Sequence, residues 1–388
     1  MKCNRIIGLD MHPDVFAAAA LAGTNAVRAE VEWVQDRRAT GQLEAWAGKW
    51  LRAGDTVVLE ASGNSFEVAQ RLHGCGVTAV VLESRQASHV RDNFCNDDRH
   101  SAVKLARVYL SGLAKVVWRP DGATRERREV FFAHRNAVKD TTRCRSRIRA
   151  YLNEHCVRLP KGTGLCDESG LKAALGARPW SELQRQLIEQ KFRQLWDGER
   201  RRKQLERVMV RELAGHPEWS RLWRLMGVRH RVAFGLMAMI GDIRRFPTAK
   251  KLAGYLGLAP RREQSGNDAK GRECGLGPGG RGDVRALLIQ SAQNAMKQKN
   301  SPLHRWGWKL ALRKCHNQAV AAVARKLAVA IWHLLMGHFT PLVEAGDHLT
   351  AKLLKLATLL GKETLQQLGF DSRDDWVNQQ IKLIQLTP

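Results

Sequence analysis

Apolar and polar positions follow two rhythms along this chain, and the change between them divides it. Arg5 to Asp10 is an apolar run that ends on an acid, and Thr56 to Glu60 repeats the arrangement, so both read as strands with a carboxylate at the terminus. Further strands are predicted at Val15 to Leu21, Ala29 to Trp33 and Val77 to Leu82, with helices at Gly41 to Arg52 and Ser65 to His73. Ser101 to Gly112 places Val103, Leu105, Ala106, Tyr109 and Leu110 at helical spacing, which makes Asp98 the opening of a helix. Successive strands followed by strand, helix and strand match an RNase H-like sheet better than a doubly wound nucleotide fold. The dinucleotide motif GxGxxG is absent.

From Thr124 onward the rhythm is helical. One long helix is predicted over Thr124 to His155, then a loop-rich boundary over Leu159 to Pro179. Trp180 to Leu213 follows as an amphipathic segment carrying Leu183, Leu187, Phe192, Leu195 and Leu205, a pattern that suits a coiled-coil connector closed by Trp219 and Trp223. Val232 to Ile240, the turn Gly241-Asp242 and Pro247 to Tyr255 read as a helix-hairpin-helix, with Pro247 in a first helical turn. Helices at Val284 to Lys297 and Gln318 to Leu335 complete that region, and Leu353 to Leu360 and Trp376 to Leu386 belong to a helical addition. The fold class is therefore α/β plus α, with segments 1–120, 121–225, 226–337 and 338–388.

Charge narrows the partners. Lys and Arg number 64 against 38 Asp and Glu, a formal net charge of +26. An excess of that size repels itself unless an acidic polymer neutralises it, and nucleic acid is the common one. A membrane surface competes, but Arg325 and Lys326 interrupt the most apolar stretch, so no spanning helix is expected. The N-terminus runs straight into a strand without a secretory apolar region, and the eight cysteines form no CxxC pair, so a cytoplasmic, nucleoid-associated protein with reduced thiols is expected. On the long helix, Arg128, Arg135, Lys139, Arg143 and Arg147 recur at multiples of three to four residues and share a face, which suits a phosphate backbone better than a plain solvated face.

Candidate chemistry starts with three carboxylates. Asp10 and Glu60 end strands, where open sheets present ligands, and Asp98 opens a helix. Mg2+ prefers hard oxygen donors and keeps several waters, so two or three carboxylates plus substrate phosphate suffice to hold it. Taken singly, such an acid is more often a cap or turn residue than a ligand. Asp14 and Asp97 lie close by and read as solvated turn acids. Far downstream, Ser265 sits in a polar loop flanked by Arg261, Arg262, Lys270 and Arg272, cations placed to grip phosphate oxygens around a hydroxyl nucleophile. The glycine-rich run Gly271 to Asp283 lacks the GK[ST] ending of a phosphate-cradling loop.

Together, GLDMHPD, VLEASGN, NDDRHSAVKLARVYLSG and IGDIRRFPTAKKLAGYLGLAPRREQSG resemble the DEDD-type transposases of bridge-RNA-guided insertion sequences, in the order that family has them. The resemblance runs from Arg5 to about Gly337 and implies a RuvC-like domain, a helical connector and a C-terminal domain with a serine nucleophile. Matched motif by motif, it assigns Asp10, Glu60 and Asp98 to Mg2+ and Ser265 to attack on DNA. It also implies donor and target DNA and a structured non-coding guide RNA as partners, in a homo-oligomer, dimer or tetramer. One position departs: Ser101 stands where the family carries its fourth acid. A neutral hydroxyl is a weak ligand, so Ser101 binds metal through water, or three acids suffice, or this copy is impaired. Two rival readings remain: a RuvC-like junction endonuclease that cuts with metal-activated water, and an inactive nucleic-acid-binding protein of a decayed element.

Overall fold

Arg5–Met11 (β1) lies at the centre of a five-stranded sheet because both of its faces are apolar. Ile7 and Leu9 enter one core with Phe16, Leu43, Val57, Leu59 and Leu72, whereas Ile6 enters another with Leu21, Val58, Ala102 and Ala106. The strand order is β3-β2-β1-β4-β5, with β2 at Val15–Ala22, β3 at Glu30–Ala39, β4 at Thr56–Glu60 and β5 at Thr78–Leu82. The first three strands form an antiparallel meander, and β4 and β5 join β1 in parallel. Leu43–Trp50 (α1) and Ser65–Gly74 (α2) contribute to the first core, and Asp98–Leu110 (α3) to the second. The computed structural model describes residues 5–84, 97–263, 272–277, 279–299, 301–342 and 346–386 of the chain.

β3 is longer than the pattern Ala29 to Trp33 predicts. It is an edge strand, paired with β2 alone and mostly exposed, so the alternation that marks a half-buried strand is missing from its second half. Arg37, at φ 51, and two register shifts against β2 add to the irregularity.

The chain divides into two compact units, Met1–Pro120 and Asp121–Pro388. Among its described residues the regular structure of the second is helical apart from one small hairpin. Gly122–Glu154 (α4) and Glu182–Ala214 (α6) run antiparallel, since Arg127 pairs with Glu212, His134 with Glu206, and Gly198 packs on Thr141. Glu168–Gly176 (α5) closes the far end, where Ile148, Leu152, Trp180, Phe192 and Leu195 make a local core. A larger core runs from Phe131 through Trp223, Phe234, Leu288 and Ile331 to Trp376 and Ile384. The C-terminal addition, Gly346–Leu360 (α12), Lys362–Gln367 (α13) and Arg373–Leu386 (α14), is thus part of the same apolar interior as the helices before it.

His230–Ile240 (α7) and Ala249–Tyr255 (α8) flank a turn at Gly241, φ 63, and a short 3-10 turn at Ile243–Arg245. Pro247 lies before α8 and not within its first turn, because the Thr248 hydroxyl accepts from Lys251 N at 3.3 Å and sets the start two residues later, at Ala249. Pro260–Glu263 (β6) and Arg272–Leu276 (β7) pair antiparallel. Gly282–Lys297 (α9), Pro302–Arg313 (α10) and His316–Leu335 (α11) follow. Among the described residues α11 is the one helix long and apolar enough to cross a membrane by composition. Val323, Ala324, Leu327, Ala328 and Ile331 bury its apolar side in the protein core.

Candidate metal centre

Gly8 fixes the geometry. A Cβ added there would stand 1.8 Å from the Ala102 carbonyl oxygen and 3.0 Å from Ala106 N, so only glycine lets α3 lie directly on β1. Ala102 is one turn beyond Asp98 on the helix, and Gly8 is two residues before Asp10 on the strand. A helical turn of four residues and a two-residue strand step both advance about 6 Å, so Asp98 arrives beside Asp10.

The Asp97 carboxylate caps α3, accepting from His100 N at 2.7 Å. That hydrogen bond, with a second from the His100 ring, holds Asp97 below the ordinary carboxylate range. Asp97 is therefore a helix cap whose side chain stays largely exposed to solvent. Asp98 stands next, at the first helical position, where the positive end of the helix favours its charge.

Asp10, His12 and Asp98 converge: one potential ligand atom from each lies within 4.8 Å of the others. His12 Nε2 stands 3.4 Å from Asp98 Oδ1, with both side chains about half exposed. His12 is held by the turn leaving β1, where its N–H donates to Val15 O at 2.9 Å and its carbonyl accepts from the Thr40 hydroxyl at 3.3 Å. Glu60 follows Leu59, which pairs with Leu9 across the parallel strands, so Glu60 and Asp10 lie level on the same face. The Glu60 carboxylate is not part of the close group of three. Ser101 is one turn along α3 from Asp98, half-buried. A set of carboxylates with an imidazole, open to water, fits a divalent cation that keeps water ligands, and the nitrogen donor suits Mn2+ better than an all-oxygen site would.

His12 is absent from the sequence-based assignment. Its signal is the spacing Asp-x-His at a strand end, which projects both side chains to one side wherever the extended backbone continues.

Ser265 and Lys270 lie outside the described residues. Arg262 and Arg272 occupy β6 and β7, where Glu263 stands opposite Arg272 in the backbone register. Arg261 is exposed on β6. On α4, Arg135, Lys139, Arg143 and Arg147 are exposed, and Arg143 reaches Asp140 at 3.4 Å. Arg128 turns inward instead: its guanidinium donates to the Ala238 carbonyl at 3.0 Å and the Met239 carbonyl at 3.4 Å, at the C-terminal end of α7. The outward stripe therefore starts at Arg135.

Residues 220–306 match the model of the transposase family described as IS116/IS110/IS902. The transposase for insertion sequence element IS1111A of Coxiella burnetii is 26% identical over 345 residues, covering 86% of this chain and 90% of that protein. A Pseudomonas aeruginosa protein named "Probable family 20 transposase" is 27% identical, covering 72% of this chain and 83% of its own length. The IS110 43.6 kDa protein of Streptomyces coelicolor is 33% identical over 134 residues, 34% of this chain and 33% of that protein.

Proposed function

The chain belongs to the IS110/IS1111 family of transposases, and on that premise we propose that it cuts and rejoins DNA through a phosphoserine link at Ser265, with a divalent cation held by Asp10, Asp98 and Glu60. The observation that carries the reading is the convergence of Asp10, His12 and Asp98 at the C-terminal ends of the central strands. The mixed sheet, three antiparallel strands followed by two parallel ones, supports an RNase H-like, RuvC-like assignment for the first unit. The two helices around Gly241 support a helix-hairpin-helix in the second.

Asp10 and Asp98 would hold the cation, and His12 would supply a third donor beside them where Ser101 stands in place of a fourth acid on α3. When bound, the cation neutralises charge that builds on the phosphate oxygens of the scissile bond. Ser265 attacks the phosphorus: a serine O–P bond forms, the strand's P–O bond breaks, and the departing strand oxygen takes a proton. One phosphodiester replaces another, so rejoining is the reverse displacement by a strand hydroxyl and needs no external energy source. Arg261, Arg262, Lys270 and Arg272 flank the nucleophile to hold phosphate oxygens, and Arg135, Lys139, Arg143 and Arg147 follow a backbone by charge. A structured RNA supplies target choice by base pairing, while the protein reads backbone and shape. Two duplexes present four strands, which calls for several copies of the chain.

The test is covalent trapping. The full chain is incubated with labelled donor and target DNA, Mn2+ or Mg2+ and RNA copurified from its host, then denatured. A protein–DNA adduct that vanishes in Ser265→Ala supports the reading. Hydrolytic cutting that survives Ser265→Ala replaces it with a water-using endonuclease.

A further inference from the structure

The second unit contains a cavity of about 460 Å³ whose wall comes half from the family-matched segment and half from the C-terminal addition. Its size lies within the roughly 300–1,000 Å³ range of small-molecule pockets. Arg229 and His230 come from the start of α7, Asn294, Lys297 and Gln298 from the end of α9, and His348, Lys355, Leu356 and Leu359 from α12. Gly227 makes this junction possible. Its φ is +75, and a Cβ there would stand 2.5 Å from the Ser291 carbonyl of α9.

Four properties of the wall point to one ligand. Among the described residues no carboxylate lines it, and Arg229, Lys297 and Lys355 have no ion-pair partner. α7 begins there without a side-chain cap; the Val232 N–H donates to the Arg229 carbonyl at 3.0 Å, which leaves the His230 and Arg231 N–H groups at the helix start for an anion. Both ring nitrogens of His230, a side chain 11% exposed, lack a hydrogen-bond partner, and its nearest acid, Glu206, is 3.9 Å away. Leu356 and Leu359 add apolar surface to the wall, which also carries the side-chain amides of Asn294 and Gln298. Lys352 braces that wall, donating to the Trp223 carbonyl at 2.6 Å and the Leu225 carbonyl at 3.1 Å.

Cations and an uncapped helix start suit a phosphate; an apolar wall with amides suits a base. We propose that this pocket takes one nucleotide of a single-stranded nucleic-acid segment, its phosphate on Arg229, Lys297 and Lys355 and its base against Leu356 and Leu359. The C-terminal addition thereby acquires a function, completing a nucleotide site that the matched segment builds by half. The inference rests on the chain handling nucleic acid and not on the metal or serine chemistry.

The experiment measures binding of fluorescein-labelled single-stranded DNA and RNA of one sequence to the full chain, across salt concentrations. Lys297→Glu combined with Lys355→Glu should weaken binding at least tenfold and flatten the salt slope by about one to two units. Lys362→Glu combined with Lys382→Glu, an equal charge change outside the pocket, should leave it within twofold. The arm with the larger loss, DNA or RNA, names the strand. An oligonucleotide carrying 5-iodouracil or 4-thiouracil should crosslink to the peptides that hold Gln298 and Leu359. A folded pocket variant that binds like the control, or crosslinks that map elsewhere, overturns the proposal. So does AMP alone binding wild type with strand affinity unchanged in the variant, which assigns the site to a free nucleotide. Failure of wild type to bind any strand sinks the transposase reading as well.

Discussion

Two clusters of charged groups in this protein have opposite characters. At the strand ends, Asp98 and His12 are about half exposed and meet at 3.4 Å, too far for a good hydrogen bond. Between α4, α6 and α7, Glu206 is 5% exposed and takes hydrogen bonds or ion pairs from His134 at 3.1 Å, Arg202 at 2.6 Å and Arg231 at 2.7 Å. Burial pushes the Glu206 carboxyl up, but the His134 bond and the charges of Arg231 and Arg202 outweigh it and hold the group far below the ordinary carboxylate range. Glu199 extends the network to Arg202 at 2.8 Å and to Arg145. The buried acid spends its bonding capacity on the fold. Asp98, half exposed and with one long contact to His12, keeps bonding capacity for something that arrives from solvent.

The sharpest break of that contrast is to neutralise one acid of each kind. Asp98→Asn should lower DNA strand cutting by about a thousandfold or more while the thermal midpoint without metal holds or rises, since one of two neighbouring negative charges is removed. Glu206→Gln should do the reverse. It strips the charge from the centre of a buried cationic shell and should cost about 3 kcal/mol by urea denaturation. A large loss of stability in Asp98→Asn would place that residue with the structural acids.

Acid titration separates the clusters without mutation. Burial lowers the His230 pKa, so the unfolded chain binds that proton first and stability starts to fall as pH drops below about 6.5. Glu206 has a depressed folded pKa, so its contribution is complete above about pH 4.5 and is lost as pH falls further. Urea midpoints should therefore decline in two stages on the acid side. Glu206→Gln should remove the second, and a second stage that persists would assign it to other acids.

How far these clusters can be read from sequence differs for the same physical reason. β1, β4 and α3 are legible because burial imposes a period on them, and Asp10, Glu60 and Asp98 stand where those periods stop. His12 escapes because the apolar period that marks β1 ends before it, leaving only its two-residue spacing from Asp10 as a signal. The Glu206 network escapes because charged residues on a long helix read as a solvated face, and only the pairing of α4 with α6 turns them inward. Arg128 shows the same limit: spacing puts it on a helix face, but the end of α7 that packs there is not a local property. The longer β3 is hidden because an edge strand has little to bury.

A smaller effect tests His12. An imidazole beside two carboxylates should favour Mn2+ over Mg2+ more than an all-oxygen set does. His12→Ala should weaken Mn2+ binding, read by calorimetry or by the Mn2+ electron paramagnetic resonance signal, by about tenfold and leave Mg2+ binding nearly unchanged. Equal losses for both metals would show that His12 only positions Asp98. Ser101→Asp should recover the lost Mn2+ affinity in the His12→Ala background if the helix position and the strand-end position serve the same cation.

The finest division lies between neighbours. Asp97 and Asp98 are adjacent acids, yet Asp97 spends its carboxylate on His100 N while Asp98 faces Asp10 and His12. Asp97→Ala should remove the cap of α3 and lower the thermal midpoint by a few degrees, with cutting retained within severalfold. Asp97→Asn should recover most of that loss, because an asparagine oxygen caps a helix nearly as well as an aspartate one. Asp98→Ala should show the opposite pair of results. The two residues differ by one step of about 100° around the helix, which is enough to turn one carboxylate back onto the backbone and leave the other over the sheet. If Asp97→Asn abolished cutting and Asp98→Asn did not, the third acid of the metal set would be Asp97, and α3 would have to be rotated by that step relative to Gly8.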